Sequence, residues 1–310
     1  MARAILKIRK VSLQGDQPQE KPARKYPNPT LRLLTERASC RDFAAKKIPP
    51  RVLQHVLEAG VHAPTGGNLQ PYSIIKIEKE ATRKKLAERC GQPFIARAPV
   101  NLLFCIDFHR IERWAGLETA PFTATSSFRH FWIGFQDTII CAQNICTAAD
   151  SLGLGSVYIG TVLEFIPKVR TMLRLPKGVF PVVLLCLGYP KTRPEPRRKL
   201  DAEVVVHNER YRELSDRKLL AAYNAKHAGI HVEIIEQRLR RIERVCRKAH
   251  GAGFARECLG RIKKNGCISM AQFYFGLHYV ADVMPRGNQR FLELMEKCGF
   301  GWFQRYRPRR

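Results

Sequence analysis

Two almost wholly apolar segments, 100–106 and 181–187, most constrain how this chain can fold. Their length is typical of β-strands, and a strand without polar alternation needs cover on both of its faces. The longest apolar run, 179–187, is far shorter than the roughly 20 residues of a membrane-spanning helix, so we expect no membrane span. A chain of 310 residues can bury a sizeable core as one large domain or two modest ones.

The net charge of +27 is the unusual feature of the composition. A strongly positive chain attracts anions such as nucleic acid, acidic membranes or phosphorylated small molecules. The positive residues are spread over both ends and many predicted helices. This distribution favours general surface charge first, contact with anionic cofactors second and contact with nucleic acid third.

The ten cysteines are scattered through apparent core segments and show no CxxC spacing. This pattern is typical of reduced thiols and not of disulfides or a zinc site. The N-terminal residues lack the long apolar segment of a secretory signal. We therefore predict a cytoplasmic location and no metal.

The character of the sequence changes twice along the chain. Residues 1–25 are basic, polar and proline-containing, and are predicted to form a flexible arm. The main domain is predicted at 26–225, and a basic helical extension packed on the core at 226–310. Within the main domain, Thr30 could cap the first helix, and residues 109–130 could form a mobile cover over a site.

The residues Arg37, Ser39 and Arg41 alternate along one short segment. In an extended segment their side chains point to the same side. Two guanidinium groups with a hydroxyl group between them suit a phosphate dianion. A solvated basic loop is the alternative explanation of this pattern.

A glycine turn joins a helix-like stretch, 52–60, to a strand-like stretch, 72–77. Gly66 and Gly67 lack a Cβ atom, so their backbone can approach a ligand closely. The hydrogen-bonding side chains around the turn are Thr65, Asn68 and Gln70. An ordinary helix-to-strand loop is the alternative.

The sequence contains no motif of autonomous catalysis. The G-x-S-x-G, H-E-x-x-H and P-loop patterns are absent. Gly153 and Gly155 follow a predicted apolar helix over 137–151, but they lack the third glycine and the preceding strand of a dinucleotide fingerprint. We assign no catalytic side chain, and what remains is a binding constellation.

In their order along the chain, the motifs resemble the FMN-dependent nitroreductase family. The resemblance is greatest to the branch of oxygen-insensitive NADPH nitroreductases and NADPH-flavin oxidoreductases, and it covers roughly residues 28–225, with a weaker match at 291–301. The motifs that carry it are Arg37-x-Ser39-x-Arg41, Ala63-Pro64-Thr65-Gly66-Gly67-Asn68-Leu69-Gln70-Pro71, Gly91-Gln92, Asp137 with Ala142-Gln143-Asn144, Leu152-Gly153-Leu154-Gly155-x-Val157-Tyr158-Ile159-Gly160, Leu187-Gly188-Tyr189-Pro190 and Val206-His207.

The resemblance implies an α+β, nitroreductase-like fold with a central mixed sheet flanked by helices. It also implies an intertwined homodimer with two FMN sites at the interface, and a helical C-terminal extension. The FMN phosphate and ribityl chain would be held by Arg37, Ser39, Arg41, Arg197 and Lys199. The isoalloxazine would be lined by Thr65, Gly66, Gly67 and Asn68 from the partner subunit, with Gln70 in the same turn, and by Gln92, Tyr158, Ile159 and Gly160.

The implied activity is that of an FMN-dependent oxidoreductase. It would take hydride from NADPH onto flavin N5 and pass two electrons to nitroaromatic, quinone or flavin acceptors by a ping-pong mechanism. Arg241 and Arg244 are among the arginines that could meet the 2′-phosphate of NADPH, although simple surface charge is favoured for each. The loop Arg197-Arg198-Lys199 departs from the Lys-Pro-Arg that is usual in the family.

Two alternatives stay open. One is a specialised flavin enzyme of the same fold, such as a reductive dehalogenase or a flavin-fragmenting oxygenase. The other is a non-enzymatic flavoprotein that binds nucleic acid, which the high positive charge suggests.

Overall fold

The computed structural model describes residues 26–304, and the predicted arm at 1–25 lies outside this range. The described chain divides into two compact units, one formed by 26–196 with 291–304 and the other by 197–290. The chain thus passes from one unit to the other at 196/197 and 290/291. The domain boundary predicted from sequence at 225/226 stays a prediction.

Helices account for most of the secondary structure in residues 26–304. They are α1 (Pro29–Glu36), α2 (Pro50–Val61), α3 (Glu80–Cys90), α4 (Phe94–Arg97), α5 (Phe108–Leu117), α6 (Phe128–Ser151), α7 (Ile166–Leu173), α8 (Ala202–Val205), α9 (Asp216–Lys226), α10 (Glu236–Asn265), α11 (Met270–Phe273) and α12 (Asn288–Lys297). Within this range, no helix combines the length and the apolar character needed to cross a membrane.

One sheet forms the centre of the first unit. Its strands are β1 (Tyr72–Ile77), β2 (Val100–Asp107), β3 (Gly155–Ile159) and β4 (Val179–Gly188). They lie in the order β1-β2-β4-β3 and all neighbours are antiparallel. A parallel bridge between Ser39 and Ser156 adds the chain before α2 to the sheet beside β3. The strands predicted at 72–77, 100–106 and 181–187 are therefore confirmed.

The two faces of the sheet are covered by different helices. In β2, Leu102 and Phe104 pack in the cluster that includes α2 and α6, while Leu103 and Cys105 pack in the cluster that includes α3 and α4. Every residue of β2 and of β4 is buried. The absence of polar alternation in both strands follows from this double cover. The α+β fold with a central sheet flanked by helices is confirmed.

The cap of α1 differs from the prediction. Asn28, and not Thr30, is the N-cap, and its side chain accepts a hydrogen bond from the N–H of Leu31 at 3.0 Å. Pro29 occupies the first helical position, for which its fixed φ is suited, so the cap must be the residue before it. Thr30 lies inside the helix.

Residues 109–130 are largely helical, and their part as a cover stays a prediction. They contribute most of α5 and the beginning of α6, which starts at Phe128, nine residues before the predicted start. Ser127 caps α6, and the ring of Phe131 lies 5.7 Å from that of Phe180 and 5.4 Å from that of Phe300. These distant aromatic partners, which no local pattern reveals, extend the helix.

Candidate functional site

The segment between α1 and α2 carries Arg37, Ser39 and Arg41. Beside the bridge of Ser39, the N–H of Cys40 donates to the carbonyl of Ser156 at 2.9 Å. The segment therefore runs along the outer edge of β3. Arg41 is exposed and Ser39 is half-buried. A cation and a hydroxyl group are thus brought to this edge of the sheet.

Arg37 is turned towards the interior of the unit. Its Nη2 donates to Oγ of Ser156 at 3.1 Å and its Nε donates to Sγ of Cys146 at 3.0 Å. The Nε atom also lies 3.5 Å from the carboxylate Oδ2 of Asp150, and the side chain is 22% exposed. Arg37 therefore connects α6 to β3, and its contact with a phosphate stays a prediction.

Asp150 is buried at the end of α6, and its pKa is raised to about 6. Burial is the largest cause, because it penalises the charged carboxylate, while the positive charges of Arg37 and Arg193 oppose the rise. The Oδ2 atom accepts no hydrogen bond from any residue in 26–304. The desolvation of this carboxylate thus outweighs its attraction to two guanidinium groups.

The glycine turn has an unusual backbone. Gly67, Asn68 and Gln70 have φ values of +58°, +56° and +49°. Such values suit glycine, are tolerated by asparagine and are uncommon for glutamine. The N–H of Gln70 donates to Oγ1 of Thr65 at 3.2 Å, and its Nε2 donates to the carbonyl of Val61 at 2.8 Å. The turn is fixed at its base, while Gly67 and Asn68 are exposed.

Asp137 holds the turn from α6. The N–H of Gly66 donates to both carboxylate oxygens of Asp137, at 3.1 and 3.2 Å. Burial raises the pKa of Asp137 and the hydrogen bond from Gly66 opposes this rise. Sequence reasoning included Asp137 in a motif but gave it no role. The available signal was a carboxylate within a helix that is otherwise apolar nearly all round.

Gln92 and Gly160 lie at the far end of β3. The Nε2 of Gln92 donates to Oγ1 of Thr161 at 3.0 Å. Gly160 directly follows β3 and is exposed, and a Cβ atom built on it would meet no other atom within 4 Å. Open backbone and an amide side chain are thus brought together at this end of the strand.

Tyr158 and Ile159 differ in what they can offer a ligand. The Tyr158 side chain packs on the face with α6, and its hydroxyl lies 3.5 Å from Oε1 of Gln143. The Ile159 side chain is buried on the opposite face, with an exposed fraction of 2%. Only the backbone of Ile159 is therefore suited to contact a bound molecule.

Arg37 and Gln92 contact opposite ends of β3. Arg37 contacts Ser156 near the start of β3, and Gln92 contacts Thr161 just beyond its end. The rise per residue of a strand separates them by on the order of 15 Å. An elongated ligand could lie between them.

The glycine turn lies elsewhere in the same unit. It contacts α6 at Asp137, whereas Arg37 contacts α6 at Asp150, thirteen residues further on. The rise of an α-helix makes this separation roughly 20 Å. One chain therefore does not bring the turn and the Arg37 segment together.

Arg197 and Lys199 are exposed residues of the unit 197–290. Their part in binding a phosphate stays a prediction. So do the roles predicted for the other residues of the candidate site.

Residues 34–189 match the family described as the Nitroreductase family. The chain belongs to this family. It is 37% identical to the oxygen-insensitive NADPH nitroreductase of Salmonella typhimurium over 66% of this chain and 83% of that relative. It is 35% identical to the NADPH-flavin oxidoreductase of Vibrio harveyi over 61% of this chain and 77% of that relative.

A solved structure of the nitroreductase family agrees with the fold. The NADPH:FMN oxidoreductase of Vibrio harveyi, complexed with NAD⁺, has a TM-score of 0.61 with this chain at 32% identity. The match covers 65% of this chain and 86% of that one. The predicted family, its fold and the oxidoreductase class are therefore confirmed.

Proposed function

We propose that this nitroreductase-family protein is an FMN-dependent oxidoreductase of the cytoplasm. It takes hydride from NADPH and passes two electrons to nitroaromatic, quinone or free flavin acceptors in a ping-pong reaction. The NADPH:FMN oxidoreductase of Vibrio harveyi supports FMN and NADPH as the pair. The observation that carries the proposal is the pairing, along β3, of a cationic segment at one end with an open glycine edge at the other.

The residues present fit FMN. Its phosphate is a dianion, which needs cations and hydrogen-bond donors to offset desolvation. Arg41 and Ser39 supply these at one end of β3. Its flat ring needs a surface that backbone can approach closely, and Gly160 supplies open space at the other end. Gln92 is held beside this end by Thr161 and offers an amide to the ring edge.

The protein's own contribution is binding and orientation. Bound FMN would supply the redox chemistry, with hydride arriving at and leaving from its N5 atom. Arg41 and Ser39 would anchor the phosphate end, and Gln92 would set the orientation of the ring. We assign no side chain as a proton donor, and water can deliver the proton to the acceptor.

The exposed glycine turn supports a dimeric site. Gly67 and Asn68 are exposed, so the turn is open to a second copy of the chain. The resemblance to the nitroreductase family implies that this turn lines the flavin bound by the partner subunit. We therefore propose a homodimer in which Thr65, Gly66, Gly67, Asn68 and Gln70 complete the site of the other subunit.

A steady-state experiment tests the function. Initial rates with NADPH are measured at several fixed concentrations of a quinone and of a nitroaromatic compound. A ping-pong reaction gives parallel lines in double-reciprocal plots, whereas intersecting lines would contradict it. Poor turnover of both acceptors by the FMN-loaded protein would favour the specialised flavin enzyme instead.

A further inference from the structure

The longest helix of the unit 197–290 folds back on itself. Gly251, in the middle of α10, has φ +88° and ψ 175°, which no helix contains. Ile242 and Cys246 before it share one buried cluster with Cys258 and Ile262 after it. In a straight helix, Cys246 and Cys258 would lie about 18 Å apart. Instead, these two thiols interact. Burial is the largest cause of the raised pKa of Cys246, and the interaction with Cys258 adds to it.

Residues 236–265 therefore form two helical arms, 236–250 and 252–265, that cover each other's apolar faces; we name them the basic hairpin. The hairpin carries ten arginines and lysines and three glutamates. Each glutamate is paired with an arginine four residues further on, in the pairs Glu236–Arg240, Glu243–Arg247 and Glu257–Arg261 at 2.7 to 2.9 Å. All three glutamates are thus paired with an arginine of their own helical arm.

Seven cations of the basic hairpin have no carboxylate partner among residues 26–304. They are Arg238, Arg241, Arg244, Lys248, Arg256, Lys263 and Lys264. Arg238 is half-buried and donates to the carbonyl of Glu233, while the other six are exposed. The hairpin therefore has a large excess of positive charge that no acid among residues 26–304 neutralises.

Three of these cations form a regular stripe. Arg241, Arg244 and Lys248 follow one another at intervals of three and four residues, so they share one helix face. The buried Ile242 and Cys246 lie on the other side of this arm. The intervals place the cations roughly 4.5 and 6 Å apart along the axis. Such a row can follow a line of closely spaced negative charges.

We propose that the basic hairpin binds the phosphate backbone of nucleic acid. Duplex DNA carries one negative charge per roughly 1.7 Å of its axis, so a row of cations can contact several phosphates at once. Arginine predominates over lysine in the hairpin, and its planar guanidinium group suits bidentate contacts with phosphate.

The burial pattern argues against a membrane surface as the partner. A helix that lies on a membrane exposes an apolar face to the lipid. In the basic hairpin, Ile242, Val245, Cys258 and Ile262 are buried within the unit. Phe254, near the bend, is 48% exposed, and its ring lies 4.8 Å from that of His250. An exposed aromatic ring among cations is also suited to stack on a base.

The test uses the full-length, FMN-loaded protein. The triple variant Arg241→Gln, Arg244→Gln, Lys248→Gln removes the three positive charges of the stripe. A matched control, Arg51→Gln, Arg113→Gln, Lys168→Gln, removes the same charge from exposed positions of the other unit that have no carboxylate partner among residues 26–304. Affinity for a labelled 20-base-pair DNA duplex and for a single strand of equal length is measured by fluorescence anisotropy over a salt series.

We expect the wild-type protein to bind with a steep salt dependence. Loss of three phosphate contacts should make the slope of log affinity against log salt less steep by about 2 to 3. It should also weaken binding by about tenfold or more, whereas the control variant should change little. The ratio of the two probes' affinities shows whether duplex or single strand is the better ligand. Circular dichroism and flavin content check that both variants fold.

Four results would overturn the proposal. The first is no binding of either probe by the wild-type protein at moderate salt. The second is equal weakening by both triple variants, which would show that only net charge matters. The third is tighter binding to phosphatidylserine vesicles than to nucleic acid. The fourth is an unchanged nucleic acid affinity with a raised KM for NADPH and not for NADH, which would assign Arg241 and Arg244 to the 2′-phosphate.

Discussion

At the scale of single residues, Asp137 connects the glycine turn to the rest of the unit. Its carboxylate accepts the N–H of Gly66 through both oxygens, and it is buried. Removing the acceptor leaves a donor without its partner, which costs about 1.5 to 3 kcal/mol when the partner is charged. If the turn lines the flavin, this cost appears in the binding of FMN.

We therefore predict that Asp137→Ala weakens FMN affinity by about tenfold to a hundredfold. Asp137→Asn, which keeps an acceptor at the same place, should retain most of the affinity. Quenching of flavin fluorescence measures both. An alanine variant that binds FMN as tightly as the wild type would show that the turn is not part of the site.

Asp150 makes the stability of the protein depend on pH. Its folded-state pKa of about 6 lies above the ordinary value of 3.8. The folded state therefore prefers the protonated form, and this contribution to stability is complete below about pH 4 and is lost as the pH rises through 6. Asp150→Asn removes the titration.

We predict that the free energy of unfolding of the Asp150→Asn variant rises relative to that of the wild type between pH 4 and pH 7. The difference should reach up to about 3 kcal/mol, as expected for a shift of about two pKa units in a buried group. Urea unfolding at a series of pH values measures it. A difference that is constant with pH would show that Asp150 is ionised throughout.

Residue-level prediction from sequence was successful where chemistry is local. Paired glycines between helix and strand indicated the turn, and Gly67 has the positive φ that such a turn requires. The left-handed backbone at Gln70 was not foreseeable, because its hydrogen bonds to Thr65 and Val61 form only in the folded turn. The inward position of Arg37 depends on Asp150, which is 113 residues away, and no local pattern indicates it.

At the scale of elements, α6 organises the first unit. It packs on α2 and on the sheet, and it carries both Asp137 and Asp150. Gly60 of α2 permits close contact between these helices, since a Cβ atom there would lie 2.3 Å from Cγ1 of Ile145. Real Cβ atoms do not approach so closely, so a side chain at this position must push the helices apart.

Gly60→Ala is predicted to lower the free energy of unfolding by about 1 to 3 kcal/mol, as overpacking of a core does. Gly116→Ala is the matched control, because a Cβ atom there would meet no other atom within 4 Å. This substitution should raise the free energy of unfolding by about 0.5 to 1 kcal/mol, since alanine stabilises a helix by that amount relative to glycine. Urea unfolding compares the two. Equal effects of both substitutions would contradict the close contact of α2 and α6.

The strands were easier to predict than the ends of the helices. Wholly apolar runs have no stable alternative to a buried position, so β2 and β4 were evident from sequence. The first turns of α6 mix aromatic and polar residues, and they are fixed by contacts of Phe131 with Phe180 and Phe300. Such contacts join distant parts of the chain, and a periodic pattern does not contain them.

At the scale of the whole molecule, the proposed site needs two chains. The double variant Gly66→Val, Gly67→Val damages the turn, because valine is strained at the φ of +58° found for Gly67 and a Cβ at Gly66 would lie 3.1 Å from Ile133. Arg41→Glu damages the predicted phosphate contact, which in the proposed dimer is contributed by the chain that does not contribute the turn. Each variant alone should lose FMN and activity.

We predict that co-expression of these two variants restores activity. Half of the dimers would then contain one of each, and one of their two sites would combine both intact walls, which gives about a quarter of the wild-type activity. NADPH oxidation with a quinone acceptor measures it. If both walls belonged to the same chain, no combination would produce an intact site and the mixture would stay inactive.

The family and the fold of the first unit followed from the order of the sequence motifs, because these motifs lie at the turns and strand ends that define the candidate site. The dimer did not follow from the residues themselves; it is implied by the family resemblance, and the exposed position of Gly67 and Asn68 supports it. The basic hairpin was hidden in the sequence. Its sequence shows a charged, amphipathic helix, and only the backbone at Gly251 turns that helix into two arms.

We propose that this chain binds FMN and uses it to oxidise NADPH. The most direct test is the visible spectrum of the FMN-loaded protein during anaerobic addition of NADPH or, separately, NADH. We predict that one equivalent of NADPH bleaches the yellow absorbance of the bound flavin and that NADH does so more slowly. A protein that binds no added FMN, or whose bound flavin keeps its colour after addition of either nucleotide, would contradict the proposed function.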